Sequence, residues 1–291
     1  MLKKESIMEN KIVYASAADT IVVRFADTTQ ACREAVRIHD AGGSASDTLC
    51  RVLTGAVLGA SLMKNDDDLF TLSVNSEGAI TYVTATAAPS GDVKALIDFD
   101  KENLSETVSK SIGEGTLNIA RELGVGEPYR GSIPLYTGEI AEDITAYFAY
   151  SEQTPTSCAL GEDIETKSDG RAGGFLIQLM PDTTEETITA LEQDLAKSRP
   201  VCELLEQYED PKELLTALLP GLKPEVYFEK DVRFNCGCSR EKAEQALISA
   251  GKDNLNEMIS EDRDFPVVCP YCNTKYMFGK DELERLLSEA K

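Results

Sequence analysis

The apolar positions of this chain change period several times, and each change marks an element. Ile12-Val13-Tyr14 and Ile21-Val22-Val23-Arg24-Phe25 are short runs rich in β-branched residues and predict two strands. From Thr28 the period lengthens. Cys32, Ala35, Val36 and His39 fall at i, i+3, i+4 and i+7, which predicts a helix stopped by Gly42-Gly43. A second helix, capped by Ser46 or Asp47 and running through Met63, is apolar nearly all round, as expected of a helix buried on every side. Its Gly55 and Gly59 are expected to let a sheet approach closely.

From Leu69 the period falls to two. Leu69 to Val74, Ala79 to Thr86 and Val93 to Phe99 are separated by Asn75-Ser76-Glu77-Gly78 and Pro89-Ser90-Gly91-Asp92, and they predict a β-meander. Thr116 to Ala120 predicts a further strand. Glu139 to Tyr150 reads as a helix with Ile140, Ile144, Tyr147 and Phe148 on one side. Phe175 to Met180, after Gly173-Gly174, reads as the final strand of a domain closed by Pro181-Asp182. The expected fold class is α+β, with a sheet-and-helix core over residues 1–181.

Residues 182–230 have a different character. Thr183 and Glu186 have capping-box spacing ahead of a narrow stripe, Ile188, Leu191 and Leu195. Two more short amphipathic helices carry Val201, Leu204, Leu205 and Tyr208, then Leu214, Leu215, Leu218 and Leu219, the second of these starting at Asp210-Pro211. The segment holds twelve Asp or Glu against five Lys or Arg, so it reads as a charged helical linker whose apolar stripes need a surface to cover. A small helical subdomain packed permanently on the core is the competing description.

Residues 231–291 make a third, small module, with helices expected at Arg240 to Ile248 and Asp281 to Ala290. Cys236-Gly237-Cys238 and Cys269-Pro270-Tyr271-Cys272 supply two short chelate loops. Such paired spacings read as a tetrahedral zinc site with four thiolate ligands, Cys236, Cys238, Cys269 and Cys272. Two structural disulfides or buried thiols are the alternative, a disulfide being expected mainly in oxidising compartments. Metal coordination is worth about 10–16 kcal/mol in zinc-finger peptides, more than a module of 61 residues gains from its own core, so losing zinc should unfold it.

Charge narrows the function classes. The chain of 291 residues carries a net charge of −22, which opposes binding to phosphate backbones and anionic lipid. Its longest uncharged apolar run, Val52 to Met63, is twelve residues, short of the ~20 that a membrane span needs. Met1-Leu2-Lys3-Lys4-Glu5-Ser6 lacks the apolar stretch of a secretory signal, so the cytoplasm is the expected location. Gly113-Glu114-Gly115 and Gly251-Lys252 each lack the remaining residues of a nucleotide-binding loop. His39 has no ligand-type neighbour at helical spacing and reads as a packing or surface residue. The isolated Cys32, Cys50, Cys158 and Cys202 read as small buried hydrophobes.

Cys236-Gly237-Cys238-Ser239-Arg240-Glu241 with Cys269-Pro270-Tyr271-Cys272 and Tyr276 resembles the redox switch of the 33 kDa heat-shock protein family, redox-regulated holdase chaperones. Gly138-Glu139-Ile140-Ala141-Glu142-Asp143, Tyr147-Phe148, Ser151-Glu152-Gln153 and Gly173-Gly174 with Gln178 and Pro181 resemble core motifs of that family, in the same order. One departure is Lys94-Ala95-Leu96-Ile97, where many members carry an Arg-Gly pair. The resemblance implies a reduced, zinc-bound, inactive state that peroxide or hypochlorite converts into an active chaperone. Disulfides would then join Cys236 with Cys238 and Cys269 with Cys272, and zinc would leave.

That chemistry is consistent with the residues. Zinc-held thiolates remain nucleophiles, oxidation removes them as ligands, and bridges closing such short loops recover little stability. Release of the module would free the linker stripes, so Ile188, Leu191, Leu195, Leu204, Leu205, Leu214 and Leu218 are candidate client contacts. The implied partners are unfolding proteins, a second copy of the chain when active, and ATP-dependent foldases downstream. The holding activity itself needs no ATP, and no enzyme activity is expected. Two rivals stand beside this reading. A zinc-ribbon nucleic-acid binder is opposed by nine Lys or Arg against twelve Asp or Glu over 231–291. A thiol oxidoreductase or zinc hydrolase is opposed by the missing βαβ pattern and by a ligand set that leaves zinc no open position.

Overall fold

A computed structural model describes residues 8–124, 126–261 and 263–289. The expectation for Met1 to Ser6, and Ala290 at the end of the last expected helix, lie outside the described residues. The chain forms two compact units, one ending at Asn235 and the other starting at Cys236.

The first unit opens with a hairpin, β1 (Lys11–Ala17) and β2 (Ile21–Asp27), then α1 (Thr29–His39) and α2 (Ser44–Ala60). The meander follows as β3 (Leu69–Ser76), β4 (Ile80–Ala87) and β5 (Asp92–Phe99). After it come α3 (Val108–Ile112), β6 (Gly115–Glu122), β7 (Tyr129–Pro134), α4 (Ile140–Ser151), β8 (Thr156–Glu162) and β9 (Ala172–Leu179). Three short helices, α5 (Glu185–Ala196), α6 (Val201–Gln207) and α7 (Pro211–Leu218), precede β10 (Glu225–Asp231) and β11 (Arg233–Phe234).

These strands build two sheets, ordered β10-β1-β2-β9-β8 and β11-β5-β4-β3-β6-β7. All pairings are antiparallel except that of β11 with β5. α2 runs between the sheets, against β3, β4 and β5 on one side and β2, β8 and β9 on the other. That position explains its composition: 15 of its 17 residues are buried. A Cβ at Gly59 would overlap the Phe70 ring, and one at Gly55 would sit 2.7 Å from Ile144 Cδ1, so both glycines are where a sheet and a helix come closest.

The sheet containing β1, β2 and β9 is apolar on both faces, because successive side chains of a strand alternate in direction. Ile12, Tyr14, Ala26 and Leu176 join the core around α2. Val13, Val23, Phe25, Phe175 and Ile177 face the other way, under Leu191, Leu204, Leu205, Leu214, Leu215 and Leu218 of α5, α6 and α7. The short helices therefore close a second core.

Several element boundaries differ from the sequence reading. α2 starts at Ser44, two residues before the expected cap, because Gly43 takes a left-handed φ of 56° and turns the chain directly into the helix; it ends at Ala60. α5 is capped by Thr184, whose hydroxyl accepts from Thr187 N–H, one residue beyond the expected Thr183. Asp210 caps α7 as expected, accepting from the Lys212 and Glu213 amides. The strand at 172–179 is not the final one, since β10, within the stretch read as helical, pairs with β1 as an edge strand. β7 and β8 were also not predicted. Both are edge strands with polar or small residues, whose pairing is supplied by β6 and β9 rather than by their own periodicity.

Glu162, at the end of β8, lies near Asp47 of α2. Burial first, and the Asp47 carboxyl second, push Glu162 up to about 9, partly offset by the 2.8 Å hydrogen bond from Ile164 N–H.

Two predictions follow from this packing. Gly59→Val should destabilise the first unit by about 2–3 kcal/mol through overpacking against Phe70, as read by urea denaturation. For Glu162, a folded-state value above the ordinary 4.5 means the fold holds an extra proton between about pH 4.5 and 9. Its stabilisation is complete below that window and is lost as pH rises through it. Glu162→Gln should raise the thermal midpoint at pH 8 more than at pH 5; parallel pH profiles for the two proteins would refute the assignment.

Candidate metal centre

The second unit holds α8 (Arg240–Ser249), α9 (Lys252–Ser260), a two-stranded sheet of β12 (Phe265–Val268) and β13 (Lys275–Phe278), and α10 (Lys280–Glu289). α9 and the β12–β13 hairpin were not predicted, because each is short and only half-buried. The fully enclosed side chains are few: Leu255, Phe278, Leu283 and Leu286, with Ala243 and Leu247 nearly so. Six buried residues make a core too small to be relied on alone.

The four paired cysteines come from two separately built loops. In the first, Gly237 takes a left-handed φ of 59°, which glycine reaches without steric cost, and this closes the tight turn between Cys236 and Cys238. Ser239 then caps α8, its hydroxyl accepting from Lys242 N–H, so Cys238 is fixed at the helix start. In the second, Cys269 N–H donates to Thr274 O and Asn273 N–H to Cys269 O, both at 2.9 Å, which folds Cys269 to Cys272 into the turn between β12 and β13.

Arg240 holds the two loops in register. Its guanidinium donates to Met277 O at 2.9 Å and to Glu282 Oε1 at 2.6 Å, and stacks 4.5 Å from the Phe278 ring centre. The start of α8 is thereby tied to β13 and α10.

All four sulfurs lie within 4.8 Å of one another. The shortest separations run across the loops, 3.3 Å from Cys236 to Cys269 and 3.4 Å from Cys238 to Cys272. A tetrahedral ion with ~2.3 Å metal–sulfur bonds has sulfurs about 3.8 Å apart, so the two short contacts open by about half an ångström around an ion and the cluster could hold a metal. The donor set is all sulfur, which selects a soft or borderline cation.

Hydroxyl groups complete the surroundings. Tyr276 Oη is 3.1 Å from Cys238 Sγ and Thr274 Oγ1 is 3.2 Å from Cys272 Sγ. Burial raises Cys272, but hydrogen bonds from the Thr274 side chain and backbone and from the neighbouring cysteines outweigh it and hold the thiol at about 7. Cys236 is pushed up by burial and by Cys269 and Cys272, and Tyr276 to about 12, chiefly by its bond to Cys238. The Lys242 ammonium donates to Gly237 O at 2.5 Å, across the turn between Cys236 and Cys238. Thr274 and Lys242 carried no signal in the sequence reading, since their role depends on a turn visible only in three dimensions.

The other four cysteines have a different setting. Cys32 and Cys50 are buried between α1 and α2, and burial raises Cys50 well above its ordinary value. Burial likewise pushes Cys158 and Cys202 up to about 12. Cys50, Cys158 and Cys202 therefore stay protonated near neutrality and are poor nucleophiles. The His39 Nε2 lies 3.0 Å from Ala95 O. Of the candidate client contacts, Leu191, Leu204, Leu205, Leu214 and Leu218 are buried on the β1–β2–β9 face, Leu195 packs at its rim, and Ile188 is half-buried. Among the described residues no helix is long and apolar enough to cross a membrane.

The family model described as Hsp33 protein matches residues 10–279. A 33 kDa chaperonin of Clostridioides difficile (strain 630) is 38% identical over 292 residues, covering 97% of this chain and 100% of the relative. A 33 kDa chaperonin of Bacillus cereus (strain AH187) is 38% identical over 289 residues, covering 96% and 99%. The crystal structure of the 33 kDa chaperonin, a heat shock protein 33 homolog, from Thermotoga maritima superposes with a TM-score of 0.85 at 29% identity, covering 97% of this chain and 98% of that one.

Because the core of the second unit is small, removing the metal should act on that unit alone. After treatment of metal-loaded protein with a strong chelator, hydrogen exchange should accelerate by at least about a hundredfold over residues 240–289 while the strands around α2 keep their protection. Uniform protection before and after chelation would show that the ion is not structural.

Proposed function

Since the chain belongs to the Hsp33 family of chaperones, we propose that it is an ATP-independent holdase switched by oxidation. In the reduced state Cys236, Cys238, Cys269 and Cys272 hold one zinc ion, whose preference for a closed tetrahedral thiolate set matches the donor set. The observation that carries this reading is the convergence of four half-buried sulfurs within 4.8 Å in a unit with so little core.

In this proposal oxidation joins Cys236 with Cys238 and Cys269 with Cys272. Disulfides cannot serve as thiolate ligands, so zinc leaves, and loops closed over two or three residues return little of the lost stability. The second unit then unfolds. Only Asn235 separates Cys236 from β11, a two-residue strand, and β10 is an edge strand next along the chain. Fraying can spread back through these to α5, α6 and α7. That would uncover Val13, Val23, Phe25, Phe175 and Ile177 together with the leucines of the helices, a contiguous apolar surface suited to unfolding proteins.

The division into a core over 1–181, a linker over 182–230 and a switch over 231–291 is part of this proposal. So are cytoplasmic residence, dimerisation of the active form and onward transfer of clients to ATP-driven foldases. The net charge of −22 supports it by keeping a client-loaded complex soluble and by disfavouring nucleic acid and anionic membranes.

Light scattering of a thermally unfolding client tests the switch. Peroxide-treated protein should suppress scattering at near-equimolar ratio while the reduced, zinc-loaded form leaves it unchanged. Equal suppression by both forms would reject redox control, and no suppression by either would reject the holdase.

A further inference from the structure

Along β6 the side chains alternate in direction, and Leu117 and Ile119 point into the core around α2. Arg121 continues that inward row, opposite Phe70 of β3 and Tyr129 of β7, where the alternation calls for an apolar side chain. Its guanidinium lies 5.7 Å from the Phe70 ring centre and 6.0 Å from those of Tyr129 and Phe148, within cation–π range. Glu152, just beyond α4, is its only hydrogen-bond acceptor among the described residues, and Nε is buried without one. A half-buried ion pair returns little net stability, so a charge in this row points to a use other than packing. Beside the pair lies a cavity of about 740 Å³, in the size range of small-molecule sites. Leu62, Met63, Leu123, Tyr129 and Phe148 give it an apolar wall, and Lys64, Ser151, Thr154 and Gln178 add polar groups. Phe148, Ser151, Glu152 and Gln178 belong to sequence motifs for which the redox switch has no use.

Two carboxylates border the cavity, and neither is free to take a cation. Glu152 is paired with Arg121, and the buried Asp68 accepts from the Asn65 backbone N–H and Nδ2. The exposed Lys64 ammonium has no ion-pair partner among the described residues. The charge left over at this site is therefore positive, in a chain whose net charge is −22. We propose that the cavity binds a free aromatic carboxylate of one or two rings. The ring packs on the wall made by Tyr129 and Phe148. The carboxylate accepts from the Arg121 guanidinium, on the side that Glu152 leaves open, and from Lys64. A neutral aromatic forgoes both charge-assisted bonds, and a cationic one is repelled by the free ammonium. The cavity lies wholly in the first unit, and none of its lining residues comes from α5, α6 or α7, so binding is independent of the redox switch.

Isothermal titration of the full-length, reduced, zinc-loaded protein with 2-naphthoate tests this, with 2-naphthamide as the neutral control. One site with a Kd of about 100 µM or tighter is expected for the acid, and the amide should bind at least about tenfold more weakly. Arg121→Met should weaken binding of the acid at least about tenfold. Lys64→Met, at an exposed position, should weaken it about threefold, and it carries the test if the arginine variant fails to fold. Glu152→Gln removes the competing carboxylate and should strengthen binding, a result that adsorption to apolar surface does not give. Equal affinity for acid and amide would overturn the proposal by showing an apolar pocket without charge selection. Binding unmoved by the substitutions, or no saturable binding up to about 5 mM, would overturn it as well. None of these results bears on the light-scattering comparison of oxidised and reduced protein, so the two proposals fail separately.

Discussion

A sheet that is apolar on both faces has to be covered twice, and most of the first unit follows from that constraint. One face of the β1–β2–β9 sheet meets α2, which in turn meets the second sheet, so a helix without a polar side becomes the centre of a sandwich. The other face is left to α5, α6 and α7, each too short to be stable alone. Their helicity depends on the sheet, and the sheet's solubility depends on them.

The second unit inverts this balance. Its fold is held less by burial than by what ties its pieces together, the four sulfurs at one end and Arg240, spanning β13 and α10, near them. An ion bound there stabilises the folded state and has no comparable site in the unfolded one. In the proposed switch, chemistry at sulfur is converted into folding free energy. Burial keeps the Cys158 and Cys202 thiols near 12 and Cys50 higher than its ordinary value, while all four cluster cysteines are half-exposed.

Much of this was legible in the chain. The all-round apolar helix, the meander, the helix at 140–151 and the three short helices α5, α6 and α7 were readable because each carries its own period over enough residues. The candidate ligands were readable because chelation demands close spacing in sequence. β8, β10 and β11 were not, since an edge strand takes its conformation from the neighbour it pairs with, and β10 looked like part of a helical segment. The start of α2 was misplaced because its boundary is set by a backbone torsion at Gly43 rather than by a capping side chain.

The sequence by itself determined the fold class, the order of the main helices, the charge and the four candidate sulfur ligands, all of which depend on local pattern or composition. Only the tertiary structure decided that the linker stripes cover one particular sheet face. It alone also placed the hydroxyls of Tyr276 and Thr274 beside two of the four sulfurs. The physical reason is the same in both cases. Which surfaces meet across long sequence separations is fixed by strand order and register, and these are settled by the packing of the whole rather than by any stretch of it.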